Sequence, residues 1–114
     1  MIHVYGIPNC DTVKKARAWL NEQGAAHSFH DFKKQGVPEA ALDRWLAEVG
    51  WETLVNRKGT TWRKLDESER QAVVDAASAR ALMLGHGSVI KRPVVEWGPA
   101  VTVGFDAADW QRRV

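Results

Sequence analysis

The chain's one cysteine, Cys10, stands between a β-prone run, Ile2-His3-Val4-Tyr5-Gly6, and a run of helical period that begins near Asp11. A thiol in that place meets the unpaired N–H groups of the following helix. These favour the thiolate and can bring a thiol pKa from about 8.5 to roughly 3.5–7.5. In open α/β sheets the crevice lies at the carboxyl ends of strands, where Cys10 falls. The chemistry offered is nucleophilic attack on an oxidised sulfur or a related centre. The other reading is a small buried apolar residue, which is common for free cysteine, although the neighbours Asn9 and Asp11 are polar. Lys14, Lys15 and Arg17 follow closely, in a place where the helix macrodipole would favour acids. Their charge favours a thiolate or an anionic substrate, or else belongs to a solvated face.

Spacing narrows the chemistry. One cysteine excludes an internal disulfide, a multi-cysteine zinc site and a Cys-x-x-Cys redox pair within the chain. A Cys-x5-Arg phosphate loop needs arginine at position 16, where Ala16 stands; Arg17 is one residue late. His3, His27, His30 and His86 form no recognisable signature and read as structural or exposed, so no metal is expected.

The elements that must position Cys10 follow from periodicity. Residues 2–6 predict a strand, and Val13, Ala16 and Leu20 at i, i+3, i+7 predict a helix after it. Gly24 is a C-terminal stop. Residues 26–31 predict a second strand, so the opening unit is strand–helix–strand, with parallel pairing and a right-handed crossover. Pro38 fits the first turn of a helix carrying Leu42, Trp45, Leu46 and Val49 and ending at Gly50. Residues 51–64, with Asn56-Arg57-Lys58-Gly59, show no clear period. Asp66-x-x-Glu69 resembles a capping box, with Val73, Val74 and Ala77 continuing a helical face. Leu84-Gly85-His86-Gly87 reads as a loop. Residues 93–97 and 101–103 predict two strands joined by Gly98-Pro99, and residues 106–113 a closing helix. The order predicts an α/β fold with a mixed four-stranded sheet and a helical insertion after the second strand.

Length and composition agree with a single domain. The chain has 114 residues, 45% hydrophobic and 26% charged, with net charge +2. That is ordinary globular composition. No apolar run approaches the roughly 18–20 residues of a membrane helix, and the start lacks the pattern of a signal peptide. A reduced, cytoplasmic protein is expected. No Lys/Arg run of five or more and no zinc-ligand spacing point to nucleic acid. Trp45 lies on an apolar stripe and is assigned to the core; Trp62 lines a cleft or covers the insertion.

Taken in order, Tyr5-Gly-Ile-Pro-Asn-Cys10-Asp-Thr-Val-Lys-Lys-Ala-Arg-Ala-Trp-Leu20, Leu54-Val55-Asn56-Arg57-Lys58-Gly59, Ile90-Lys91-Arg92-Pro93-Val94-Val95 and Val103-Gly104-Phe105 resemble the arsenate reductase (ArsC)/Spx family, nearest its YffB-like branch. The resemblance spans nearly the whole chain. It implies one thioredoxin-like domain, 1–114, with its helical insertion over about 36–84. It implies that Cys10 is the nucleophile, that Arg57 and Arg92 are cationic groups facing the thiol, and that the Arg92-Pro93 bond is cis. Asn9 and Thr12 are expected to give polar contacts around the sulfur, and Pro93 to shape the groove.

Two departures bear on activity. The family's arsenate reductases carry a third arginine where Val103-Gly104-Phe105 stands, and a histidine aligned with Gly6, so the oxyanion site here has less positive charge for arsenate. The Spx regulators use a Cys-x-x-Cys switch whose second position is Val13 here. The expected function is therefore a glutathione-dependent thiol reductase, with glutathione as co-substrate and glutaredoxin as a further candidate thiol partner. The alternatives are arsenate reduction proper and an Spx-like regulator that binds RNA polymerase without a redox switch. Since the chain has one thiol, the resolving thiol must come from outside it.

Overall fold

The computed structural model describes all 114 residues. The chain divides into two compact units, one of residues 1–34 and 92–114, the other of residues 35–91.

The first unit is built on a sheet. Strand β1 (Ile2–Gly6) leads through a turn into helix α1 (Asp11–Glu22), and the chain returns as β2 (His27–Asp31), parallel to β1. The predicted stripe is what α1 buries: Val13, Ala16 and Leu20 are fully inaccessible. Past its end, Gly24 takes φ 66°, a left-handed conformation that glycine adopts without a Cβ clash. A short helix α2 (Phe32–Gln35) follows β2. After the second unit, β3 (Val94–Glu96) pairs antiparallel with β1, and β4 (Val101–Val103) antiparallel with β3. The order β2-β1-β3-β4 gives the mixed four-stranded sheet expected from sequence.

The strand alternation sorts two sets of side chains. Val4 and Val95 pack with Ala16, Leu20 and Trp110 of the closing helix, Ala107–Gln111. Trp97 and Phe105 meet Trp110 edge-on, with ring centroids 5.0 and 4.8 Å apart, an arrangement that suits the aromatic quadrupole. Tyr5 and Glu96 share the opposite face; the Tyr5 hydroxyl donates to Glu96 Oε1 at 2.8 Å. Glu96 is only 8% exposed, so this bond offsets part of its desolvation.

The second unit is helical: α3 (Glu39–Val49), α4 (Trp51–Leu54), α5 (Thr60–Lys64), α6 (Glu67–Gln71) and α7 (Ala76–Gly85), then a 3-10 turn over Gly87–Val89. Leu42, Trp45, Leu54 and Met83 are fully buried, and Arg80 of α7 ties to Asp43 of α3 at 2.7 Å. Three local readings are corrected. Val73 and Val74 do not extend the helix begun at Asp66; α6 stops at Gln71 and Val74 is 70% exposed. A new helix starts at Ala76, because Asp75 and Ser78 form a reciprocal capping box, and such side chains favour caps over helix interiors. Helix α7 also runs on to Gly85, where a loop from Leu84 was expected. Pro38 is the N-cap of α3 and not part of its first turn. No helix is long and apolar enough to cross a membrane.

Candidate active site around Cys10

Cys10 is the N-cap of α1, with extended backbone (φ −118°, ψ 126°) and partial exposure. Its carbonyl takes the first helical bond, from Lys14 N–H, at 2.9 Å. An N-cap is normally Ser, Thr, Asp or Asn, whose oxygen accepts from the first turn. Here a sulfur holds that position, and it makes no cap hydrogen bond of standard geometry. The first-turn N–H dipoles act on it all the same. Partial burial pushes the Cys10 thiol up. The Val13 N–H, a hydrogen bond from the Arg92 guanidinium, the Arg92 charge and the Thr12 N–H together outweigh that, and hold the thiol below its ordinary value. The net effect favours a thiolate, the nucleophilic form.

Arg92 reaches the sulfur because of the sheet. β3 runs antiparallel to β1, so the residues just before β3 lie beside the end of β1. The Arg92-Pro93 peptide bond is cis, Pro93 is buried, and its carbonyl accepts from Gly104 N–H at 2.9 Å. Gly6 permits the close approach. A Cβ there would lie 3.0 Å from Val13 Cγ2 and 3.8 Å from Arg92 Cβ.

Of the residues singled out in the sequence, Cys10, Arg92, Pro93 and Thr12 belong to this arrangement, Thr12 through its backbone N–H. Asn9 is exposed in the turn that precedes Cys10. Arg57 belongs to the second unit. There it lines a cleft of about 370 Å³ together with Glu52, Asn56, Lys58 and Lys91. The cleft is framed by backbone bonds: Asn56 N–H donates to Val89 O and Lys91 N–H to Leu54 O, each at 2.7 Å. Arg57 stands over the Trp51 ring, 5.2 Å from its centroid, and 3.8 Å from Glu52. Three cations against one carboxylate make this cleft receptive to anions. Lys58 and Lys91 were not singled out from sequence. Their signal was there, since each adjoins an arginine that was, in Arg57-Lys58 and Lys91-Arg92. No group of three or more His, Cys, Asp and Glu is placed to hold a metal ion.

The model of the ArsC family matches residues 5–113. A solved structure of a protein named YffB superposes with TM-score 0.94 at 49% identity, over 99% of this chain and 98% of that one. The solution structure of an arsenate reductase (ArsC) related protein from Brucella melitensis is 52% identical, with TM-score 0.76, over 97% of this chain and 92% of that one. A Haemophilus influenzae protein described as uncharacterized is 38% identical over 97% of this chain and 96% of its own length.

Proposed function

Because the chain belongs to the ArsC family and its fold is thioredoxin-like, we propose that it is a thiol reductase linked to glutathione, with Cys10 as nucleophile. The observation that carries this reading is Cys10 at the N-cap of α1, beside the chain entering β3, where the Arg92 guanidinium helps to hold the thiol below its ordinary value. In the first step the Cys10 thiolate attacks one sulfur of an oxidised substrate disulfide. The substrate S–S bond breaks, a mixed disulfide with Cys10 forms, and the other substrate sulfur leaves as a thiolate. In the second step a glutathione thiolate attacks the substrate sulfur of that mixed disulfide, freeing Cys10 and leaving a glutathione–substrate disulfide. A second glutathione reduces that disulfide. The two electrons come from two glutathione thiols, which become glutathione disulfide.

Arg92 serves both steps, because it stabilises Cys10 as thiolate when it attacks and again when it leaves. Thr12 and Val13 add backbone N–H dipoles. Arg57, in its own cleft, offers a planar fork suited to a carboxylate or an oxyanion. The family histidine and third arginine are replaced by Gly6 and the Val103-Gly104-Phe105 run, and the smaller positive charge at that place favours a disulfide substrate over arsenate.

The test has two parts. Iodoacetamide alkylation followed against pH is expected to give a Cys10 pKa below about 8.5, and Arg92→Gln is expected to raise it. Hydroxyethyl disulfide reduction, coupled through glutathione reductase, is expected to require Cys10, with arsenate turned over poorly beside it. A thiol that titrates at its ordinary value and shows no glutathione-dependent turnover would overturn the reading.

A further inference from the structure

The end of the sheet that carries Cys10 is unevenly charged. The parallel and antiparallel pairings bring the ends of β1, β2 and β4 and the start of β3 to one side of the first unit. Gly6 and Asp31 are register partners. Lys33 and Lys34 therefore lie two and three residues past the same rung that Cys10 lies four past. Lys14 and Lys15 stand on α1, and all four lysines are exposed. None of the four ammonium groups takes part in an ion pair.

The acids of this unit are mostly engaged or distant. Glu22 is at the far end of α1, Glu96 is buried against the Tyr5 hydroxyl, Asp106 caps the closing helix, and Asp109 is paired with Arg112 and Arg113. At the thiol's end stand Asp11 and Asp31, and the latter accepts the Lys33 N–H at 2.8 Å. Arg17 is held over the Phe29 ring at 4.1 Å. Four exposed lysines, none of them in an ion pair, thus stand on the elements that begin or end at this side of the sheet. What they supply is a positive field around the one nucleophile.

We infer that Lys14, Lys15, Lys33 and Lys34 set the charge preference of the Cys10 reaction, so that its preferred partner is a disulfide carrying negative charge beside the sulfur. The inference rests on the thiol reading above and names its substrate class. The step itself is unchanged: thiolate attacks disulfide, one S–S bond forms as another breaks, and the departing sulfur leaves as thiolate. The lysines act earlier, on encounter. Steering of this kind raises association rates by roughly 10–10³ and fades with salt.

Three probes test it: dianionic 5,5′-dithiobis(2-nitrobenzoate), neutral hydroxyethyl disulfide and dicationic cystamine. Each rate with Cys10 is divided by that probe's rate with free cysteine. The expected order is anion, neutral, cation. The fourfold variant K14Q/K15Q/K33Q/K34Q is expected to lower the anion-to-cation ratio about 10-fold and to leave the neutral probe within about twofold. The matching Lys→Arg variant should keep the wild-type ratio. Raising salt from about 0.02 M to about 0.5 M should erase the preference, since the Debye length shrinks through about 8 Å at 0.15 M. Glutathione disulfide and a disulfide-linked glutamate-rich peptide separate a small-molecule source from a protein one; the source served is the one that loses more rate in the Gln variant. A reactive thiol with an unmoved ratio, or an equal loss for the neutral probe, overturns this inference alone. A thiol inert to all three probes overturns the thiol reading and this inference with it.

Discussion

Cys10 occupies a position that stability alone would give to another residue. Serine there would supply the usual N-cap oxygen, worth about 0.5–1 kcal/mol over a residue that cannot cap. The thiol forgoes this and holds a thiolate instead, so the consequence depends on pH. The Cys10 pKa is lowered in the folded protein, so its charge contributes stability above the unfolded thiol pKa of about 8.5. That contribution disappears as pH falls through the folded value. Cys10→Ser is therefore expected to be the more stable protein at acid pH, by about 0.5–1 kcal/mol. Its advantage should shrink or reverse as pH rises towards 9. Urea unfolding of both proteins across pH measures this; a constant gap would mean that the thiol titrates alike in the folded and unfolded states.

At the scale of elements, the site depends on how closely α1 approaches the end of β1. Gly6 closes β1 where a methyl group would press on Val13 Cγ2 at 3.0 Å. Val13 is fully buried, and its β-branched side chain has little freedom to turn away. Gly6→Ala is expected to cost about 1–3 kcal/mol through overpacking. Because Val13 N–H is one of the groups that lower the thiol, the same variant should also raise the Cys10 pKa, read by alkylation against pH. A stability loss with an unmoved thiol would show that α1 gives way without turning its first N–H groups. The contact was not legible in the sequence, where Gly6 is only the end of a strand. The parts that could be read were those with several turns or rungs to repeat a pattern: β1, the Val13-Ala16-Leu20 stripe and the parallel return of β2. Helices α4 and α5 have four and five residues, too few to show a period. The restart at Asp75 was hidden because Val73 and Val74 continue an apolar spacing that the Asp75–Ser78 cap overrides. The nearness of Arg92 to Cys10 came from the family resemblance; no local pattern relates residues 82 positions apart in the chain.

At the scale of the whole molecule, every group that lowers the Cys10 pKa lies in residues 1–34 and 92–114: Thr12, Val13 and Arg92. The helical stretch 35–91 has its own buried side chains, its own α3–α7 ion pair and its own cationic cleft. Damage to its interior should therefore reach stability without reaching the thiol. Leu42 is fully buried on α3, and Leu42→Ala is expected to cost about 2–5 kcal/mol by lost burial and cavity formation. Under conditions where the variant remains folded, its Cys10 alkylation profile should overlay that of the wild type. By contrast, Leu20→Ala removes a residue from the core shared by α1 and β3. A loss of similar size there should be accompanied by a raised thiol pKa, because α1 carries the N–H groups that face the sulfur. If Leu42→Ala moves the thiol as far as Leu20→Ala does, the groups that tune Cys10 extend beyond the first unit.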